Sequence, residues 1–210
     1  MPLQNRVTPF STIQAVDSRG LVMGNRGCLH GDERDLRSQR WRTKSWIVCR
    51  LAWKGVRRRL MKPGSWTELF FLDEAVALAA GHRPCGYCRR GDYRRFLDCW
   101  AAGTGWRPAR PPRQPDVDAR LHADRVDGQR RQRHHDAALD SLPDGCFVLL
   151  PDDPAPWLVQ GAGLHPWSHA GYGPPVRRPR GITVRVVTPA STVAAIAAGY
   201  TPLVHPSAFP

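Results

Sequence analysis

Ala79-Ala-Gly-His-Arg-Pro-Cys-Gly-Tyr-Cys-Arg89 decides how the rest of this chain is read. Its opening residues end a helix. Asp73 stands where an N-cap belongs, residues 74–80 are good helix formers, and Gly81 sits where a left-handed C-terminal residue is wanted. Directly past that stop come Cys85 and Cys88 in Cys-x-x-Cys spacing. Such a knuckle turns two sulfurs toward one point, which suits a soft tetrahedral cation such as zinc. It supplies half a site, so two more ligands must come from elsewhere in the chain.

Upstream, residues 21–30, 46–53, 56–61 and 67–72 carry strand patterns, with a Lys54-Gly55 turn between the second and third. Pairing the first two as a hairpin with His30 opposite Ile47 sets Cys28 across from Cys49, Cβ atoms roughly 5 Å apart. The expected ligand set is therefore Cys28, Cys49, Cys85 and Cys88 around Zn2+. His30, Asp32 and His82 are the substitutes, because a cysteine on an apolar strand such as Cys49 is often plain core. A four-thiolate site of this kind contributes on the order of 10 kcal/mol to folding. Cys99 and Cys146 read as ordinary core thiols.

Leu69-Phe-Phe-Leu-Asp-Glu-Ala-Val-Ala-Leu-Ala-Ala-Gly-His-Arg-Pro-Cys-Gly-Tyr-Cys88 resembles the second half of the metal-binding domain of Ada-type DNA alkylation-repair proteins. In that family a strand and short helix lead through a similar Ala-Ala-Gly-x-Arg-Pro-Cys-x-x-Cys to two zinc ligands. The resemblance implies zinc at Cys85 and Cys88. The family's first half carries a Cys-x-x-x-Cys pair, whereas here Cys28 is followed four residues later by Asp32. Taken as the first of that pair, Cys28 would be the residue that accepts a methyl group from a DNA phosphotriester.

The charge agrees with a nucleic-acid partner. The 210 residues carry 31 Lys and Arg against 18 Asp and Glu, a formal net charge of +13. Such a balance points first to nucleic acid, and less to an anionic membrane or an acidic protein. Arg42, Lys44, Arg50, Lys54, Arg57, Arg58, Arg59 and Lys62 gather near the expected metal site and suit a phosphate backbone. Trp41 and Trp46 lie among these cations; Trp41 suits either stacking on unpaired bases or packing inward, whereas Trp46 is expected to pack inward. A second basic run covers residues 125–135. No apolar run reaches the length of a signal sequence or a membrane span, so a cytoplasmic protein with reduced cysteines is expected.

Two further constellations carry possible chemistry. Asp118, His122, His134 and Asp136 could form a nuclease centre, although such centres use an asparagine to orient the histidine and only Asn5 and Asn25 occur. His165, Trp167, His169 and Tyr172 could line a pocket for a modified base or simply belong to a small β-barrel core. No Gly-rich phosphate loop or nucleophile-elbow serine is present.

The expected architecture is α+β. Residues 1–100 form a zinc-stabilised β-meander with a short helix and knuckle. A proline- and arginine-rich connector spans 101–142, containing at most a polar helix, and 143–210 form a small β-rich lobe with a C-terminal helix. The expected function is zinc-stabilised DNA binding, with recognition or repair of damage. One-shot alkyl transfer to Cys28 is the alternative.

Overall fold

The computed structural model describes residues 1–55 and 59–209. It is a mixed α+β protein with two sheets and four helices. The first sheet holds β1 (Gln4–Val7), β2 (Ile13–Ala15), β3 (Val22–Asn25), β4 (Ile47–Arg50), β5 (Leu69–Phe71) and β6 (Arg83–Pro84), in the order β2-β1-β5-β3-β4-β6. It is not the expected meander. β5 returns to lie between β1 and β3, so consecutive strands are not all neighbours. The expected strand at 56–61 lies partly outside the described residues, and 59–61 form no strand.

Helix α1 (Glu74–Ala79) follows β5 and starts as read, the Val76 N–H donating to Asp73 Oδ1 at 2.9 Å. It ends in a Schellman motif: Gly81 N–H donates to Leu78 O and His82 N–H to Ala77 O, with Gly81 at φ +86°. Gly81 is needed twice over, since a Cβ there would also lie 2.4 Å from Arg125 Cδ. Helix α2 (Arg90–Thr104) buries Phe96 and Trp100, an i, i+4 pair on one face.

The segment expected as a connector is built into the body. Pro115 opens helix α3 (Gln114–Arg125), and Asp116 accepts from the Arg113 N–H at 2.7 Å. Val117 and Leu121 are fully buried against Phe96, Trp100 and Tyr200 in one core cluster. β7 (His135–Ala138) pairs antiparallel with β13 (Thr183–Val186). The second sheet also contains β8 (Phe147–Leu150), β9 (Asp153–Gln160), β10 (Gly163–Ser168), β11 (Gly171–Tyr172) and β12 (Val176–Arg177), ordered β11-β10-β9-β8-β13-β7 with β12 beside β10.

Helix α4 (Ala190–Ala197) packs on α2. Gly103 makes that approach possible, because a Cβ there would sit 2.0 Å from Ala194 O. α4 stops with the same hydrogen bonds as α1, Gly199 N–H to Ile196 O and Tyr200 N–H to Ala195 O. The two halves share a core, since Val7, Val22 and Phe71 cluster with Phe147, Leu158 and Tyr172. Buried polar links reinforce this: Tyr172 OH donates to Asp73 at 2.8 Å, and Tyr200 OH to Glu74 at 2.6 Å. Separate lobes are therefore not what the packing shows. None of the described helices is long and apolar enough to cross a membrane.

Candidate metal centre

Strand alternation on β4 sends Val48 into the core and leaves Ile47 and Cys49 on the other face. β6 runs parallel to β4, with Ile47 opposite Arg83 and Val48 opposite Pro84. The next residue, Cys85, thereby arrives beside Cys49, its N–H donating to Val48 O at 2.9 Å. The chain then turns tightly: the Tyr87 N–H donates to Cys85 Sγ at 3.4 Å and the Arg89 N–H to Cys85 O at 3.1 Å. Cys88 returns to the same point. The sulfurs of Cys49, Cys85 and Cys88 all lie within 4.8 Å of one another.

Four sulfurs bonded tetrahedrally to zinc stand roughly 3.8 Å apart. The three-cysteine cluster is close to that spacing, so its donor set fits a soft cation with a small contraction. Its proton balance points the same way. Hydrogen bonds from Cys49 and then Cys88 hold the Cys85 thiol well below its ordinary value, and contacts with Cys85 and then Cys88 push Cys49 up. One sulfur can shed its proton only while its neighbours keep theirs. Three thiolates at this spacing need a cation between them.

Cys28 is not part of the group. The observed register of β3 on β4 places Met23 opposite Cys49 and Asn25 opposite Ile47, a five-residue slip from the expected pairing. An odd slip turns the opposite face of the strand toward the partner, and Cys28 falls beyond the end of β3. Its thiol rests 3.7 Å from His30 O. The ligand assignment to Cys28 is therefore corrected, and its expected role as methyl acceptor loses the zinc activation on which it rested. The substitutes are engaged elsewhere. His30 bonds Thr67 Oγ1 at 2.6 Å and Lys62 O at 3.1 Å, His82 accepts from Arg26, and Asp32 is exposed.

A cavity of 450 Å³ opens beside the cluster. Its floor is the face of the sheet that carries Met23, Asn25, Ile47, Cys49 and Phe70, and Trp53, Trp66 and Tyr87 also line it. Glu68 is a buried carboxylate in the same wall, accepting from the Met61 N–H at 2.7 Å. Arg50 and Lys54 complete the lining. Arg50 lies 5.6 Å and Lys54 5.9 Å from the Trp53 ring, and Lys54 is also 5.6 Å from that of Tyr87. None of these aromatic residues stood out in the sequence. The one usable signal was that Trp53 and Trp66 flank a basic, apolar-poor loop.

Among the other expected nucleic-acid contacts, Arg42, Lys44, Arg59 and Lys62 are exposed, while Arg57 and Arg58 lie outside the described residues. Arg42 and Lys44 lie in the loop before β4, whereas Arg50 ends β4 and Lys54 follows it, and the first two do not line the cavity. Trp46 packs inward as expected, 2% exposed. Cys146 is fully buried, its thiol pushed up to about 12 by desolvation, in keeping with a core role.

The nuclease constellation does not assemble. Asp118 is committed to a buried ion pair with Arg83, His122 contacts Arg125, and Asp136 lies exposed beside Arg185. Among the described residues the cysteine group is the only one with metal-binding geometry. Tyr172 is buried and bonded to Asp73, and His169 Nε2 meets Gln14 at 2.7 Å on the surface, so the aromatic–histidine group forms core and rim rather than a pocket. No protein-family model, curated protein or solved structure matches this chain.

Proposed function

We propose that this chain is a zinc-thiolate protein that binds DNA through the basic, aromatic rim around Cys49, Cys85 and Cys88. The convergence of those sulfurs from two elements distant in sequence carries the reading. Bound zinc would keep the sulfurs deprotonated and tie β4 to the knuckle. Three cysteines leave one tetrahedral position for another group, and Glu68 is the carboxylate that lines the same cavity. Arg50 and Lys54 supply cations at the rim, while Trp53 and Tyr87 offer ring faces to unpaired bases.

The test is metal analysis of purified protein beside Cys49→Ser and Cys85→Ser, followed by DNA-binding titration across salt. Stoichiometric zinc that both substitutions remove, together with DNA affinity that falls steeply with salt and drops in Arg50→Ala/Lys54→Ala, supports the proposal. Metal-free wild-type protein, or affinity indifferent to the rim, refutes it.

A second reading is favoured by the cavity's position against Cys49. Cys49 belongs to the sulfur cluster and also lines the cavity, so it is the cluster thiol placed to meet a bound strand. In this reading the Cys49 thiolate attacks a methyl carbon of a DNA phosphotriester. The S–C bond forms, the O–C bond breaks, and the phosphate leaves as a diester anion. The acceptor is spent after one event. Mass spectrometry of protein exposed to methyl-phosphotriester DNA would then find one added methylene on Cys49, and an unmodified Cys49 peptide refutes the transfer.

A further inference from the structure

On the opposite face of β3 and β4 from the cysteines, two arginines enclose one tryptophan. The Arg26 guanidinium lies 4.2 Å and that of Arg125 3.9 Å from the Trp46 ring centroid, and all three residues are at most 2% exposed. Arg125 has the carboxylate of Asp118 acting on it. Arg26 has no such counterweight: among the described residues it forms no ion pair. Its Nε donates to His82 at 3.2 Å and its Nη1 to Ser11 O at 3.0 Å, while the buried Nη2 has no partner.

A buried charge with an unused donor is costly unless something offsets it. Burial, and then the like charge of Arg40, pull Arg26 down to about 9, so it remains charged at neutral pH. Arg26 reaches a recess of 30 Å³, room for one or two oxygen-sized atoms. That recess shares Phe10, Arg40, Trp41, Arg130 and Gln132 with an outer cleft of 390 Å³. No carboxylate lines either space. Arg130 stands 5.5 Å from the Trp41 ring, and its backbone is held at φ +63°, a conformation that costs a non-glycine residue and collects at binding sites.

We propose that this cleft binds the phosphate of a nucleotide, one oxygen entering the recess toward Arg26 while Arg40 and Arg130 hold the others and the base lies against Trp41. The chemistry follows from the lining. Guanidinium forks match phosphate oxygens, and an indole at the mouth offers a face to a flat ring. The cleft falls in the size range of small-ligand sites. It stands apart from the metal centre and does not depend on it.

The test is calorimetric titration of the 210-residue chain as purified with inorganic phosphate, a nucleoside 5′-monophosphate and a short single-stranded oligonucleotide. The mononucleotide should bind, and more tightly than phosphate. Arg40→Ala and Arg130→Ala, both exposed rim residues, should each weaken it about tenfold or more without altering the thermal midpoint. Trp41→Ala should bring mononucleotide and phosphate to similar affinity. Displacement of the mononucleotide by the oligonucleotide identifies a strand as the source, and failure to displace it identifies a free nucleotide. Absence of binding by all three probes, or binding indifferent to the three substitutions, overturns the proposal. DNA binding lost in Arg50→Ala/Lys54→Ala but kept in Arg40→Ala/Arg130→Ala would overturn this cleft's link to a strand and leave the metal-centre reading standing.

Discussion

Replacing Asp118 by alanine should destabilise the protein by about 3 kcal/mol, the lower end of what breaking a buried ion pair costs. The pair is bidentate, Arg83 Nε to Asp118 Oδ1 at 2.7 Å and Nη2 to Oδ2 at 2.9 Å. The two side chains are 1% and 8% exposed, so little water can take over. Arg83 would keep Pro84 O at 3.0 Å and Ser45 Oγ at 3.1 Å, which places the cost near the lower end, but its Nε–H would be orphaned. Asp118 also offsets the charge of Arg125, which adds to the loss. For a chain of this length about 3 kcal/mol lowers the thermal midpoint by about 6–12 °C. Removing both charges in Arg83→Met/Asp118→Leu should restore stability to within about 1 kcal/mol of wild type. Denaturant melts of the three proteins decide it. A cost for Asp118→Ala of only about 0.5 kcal/mol, typical of an exposed position, would show that α3 is not docked on β6 and would refute the reasoning.

Chelation should act on the whole fold, since structural zinc is worth on the order of 10 kcal/mol and a domain's entire stability is similar; a thermal midpoint indifferent to chelator would remove zinc from the core account. Acidification should destabilise the protein from pH 6.5 downward. His82 is fully buried and held well below its ordinary value by desolvation, then by Arg26 and Arg125. The unfolded imidazole takes up a proton that the folded one refuses, so stability present above pH 6.5 is lost at up to about 1.4 kcal/mol per pH unit. His82→Gln should flatten that slope in urea melts across pH 5–7.5. Gly81→Ala and Gly199→Ala form a matched pair: at Gly199, φ +104° with nothing within 4 Å of the added Cβ, the cost is conformational, about 1–2 kcal/mol. Gly81→Ala adds the clash with Arg125 and should cost more; equal costs would mean that Arg125 yields freely.

The α1 start and stop and the knuckle were legible because each rests on local chemistry: a carboxylate at an N-cap, a glycine with positive φ, two cysteines one turn apart. The β3–β4 register was not legible. Twenty-one residues separate the two strands, so no tight turn sets their pairing, and the apolar pattern of 21–30 accommodates more than one alignment. α3 stayed hidden because its buried apolar residues are only Val117 and Leu121, with the remaining anchorage in two buried charged side chains: Asp118, paired with Arg83 35 residues away, and Arg125, which donates to Gly81 O and Lys44 O. β7 reads His-Asp-Ala-Ala, and only its ladder with β13 makes it a strand.

Composition and local motifs alone determined that this chain is basic, mixed in secondary structure and equipped with a two-sulfur knuckle. Tertiary pairing alone decided that Cys49, and not Cys28, joins that knuckle, and that Arg26 ends up buried without a carboxylate. Caps, turns and Cys-x-x-Cys loops are settled by forces between near neighbours. Strand register and the company of a buried charge depend on residues far apart in the chain, whose meeting only the folded sheet defines.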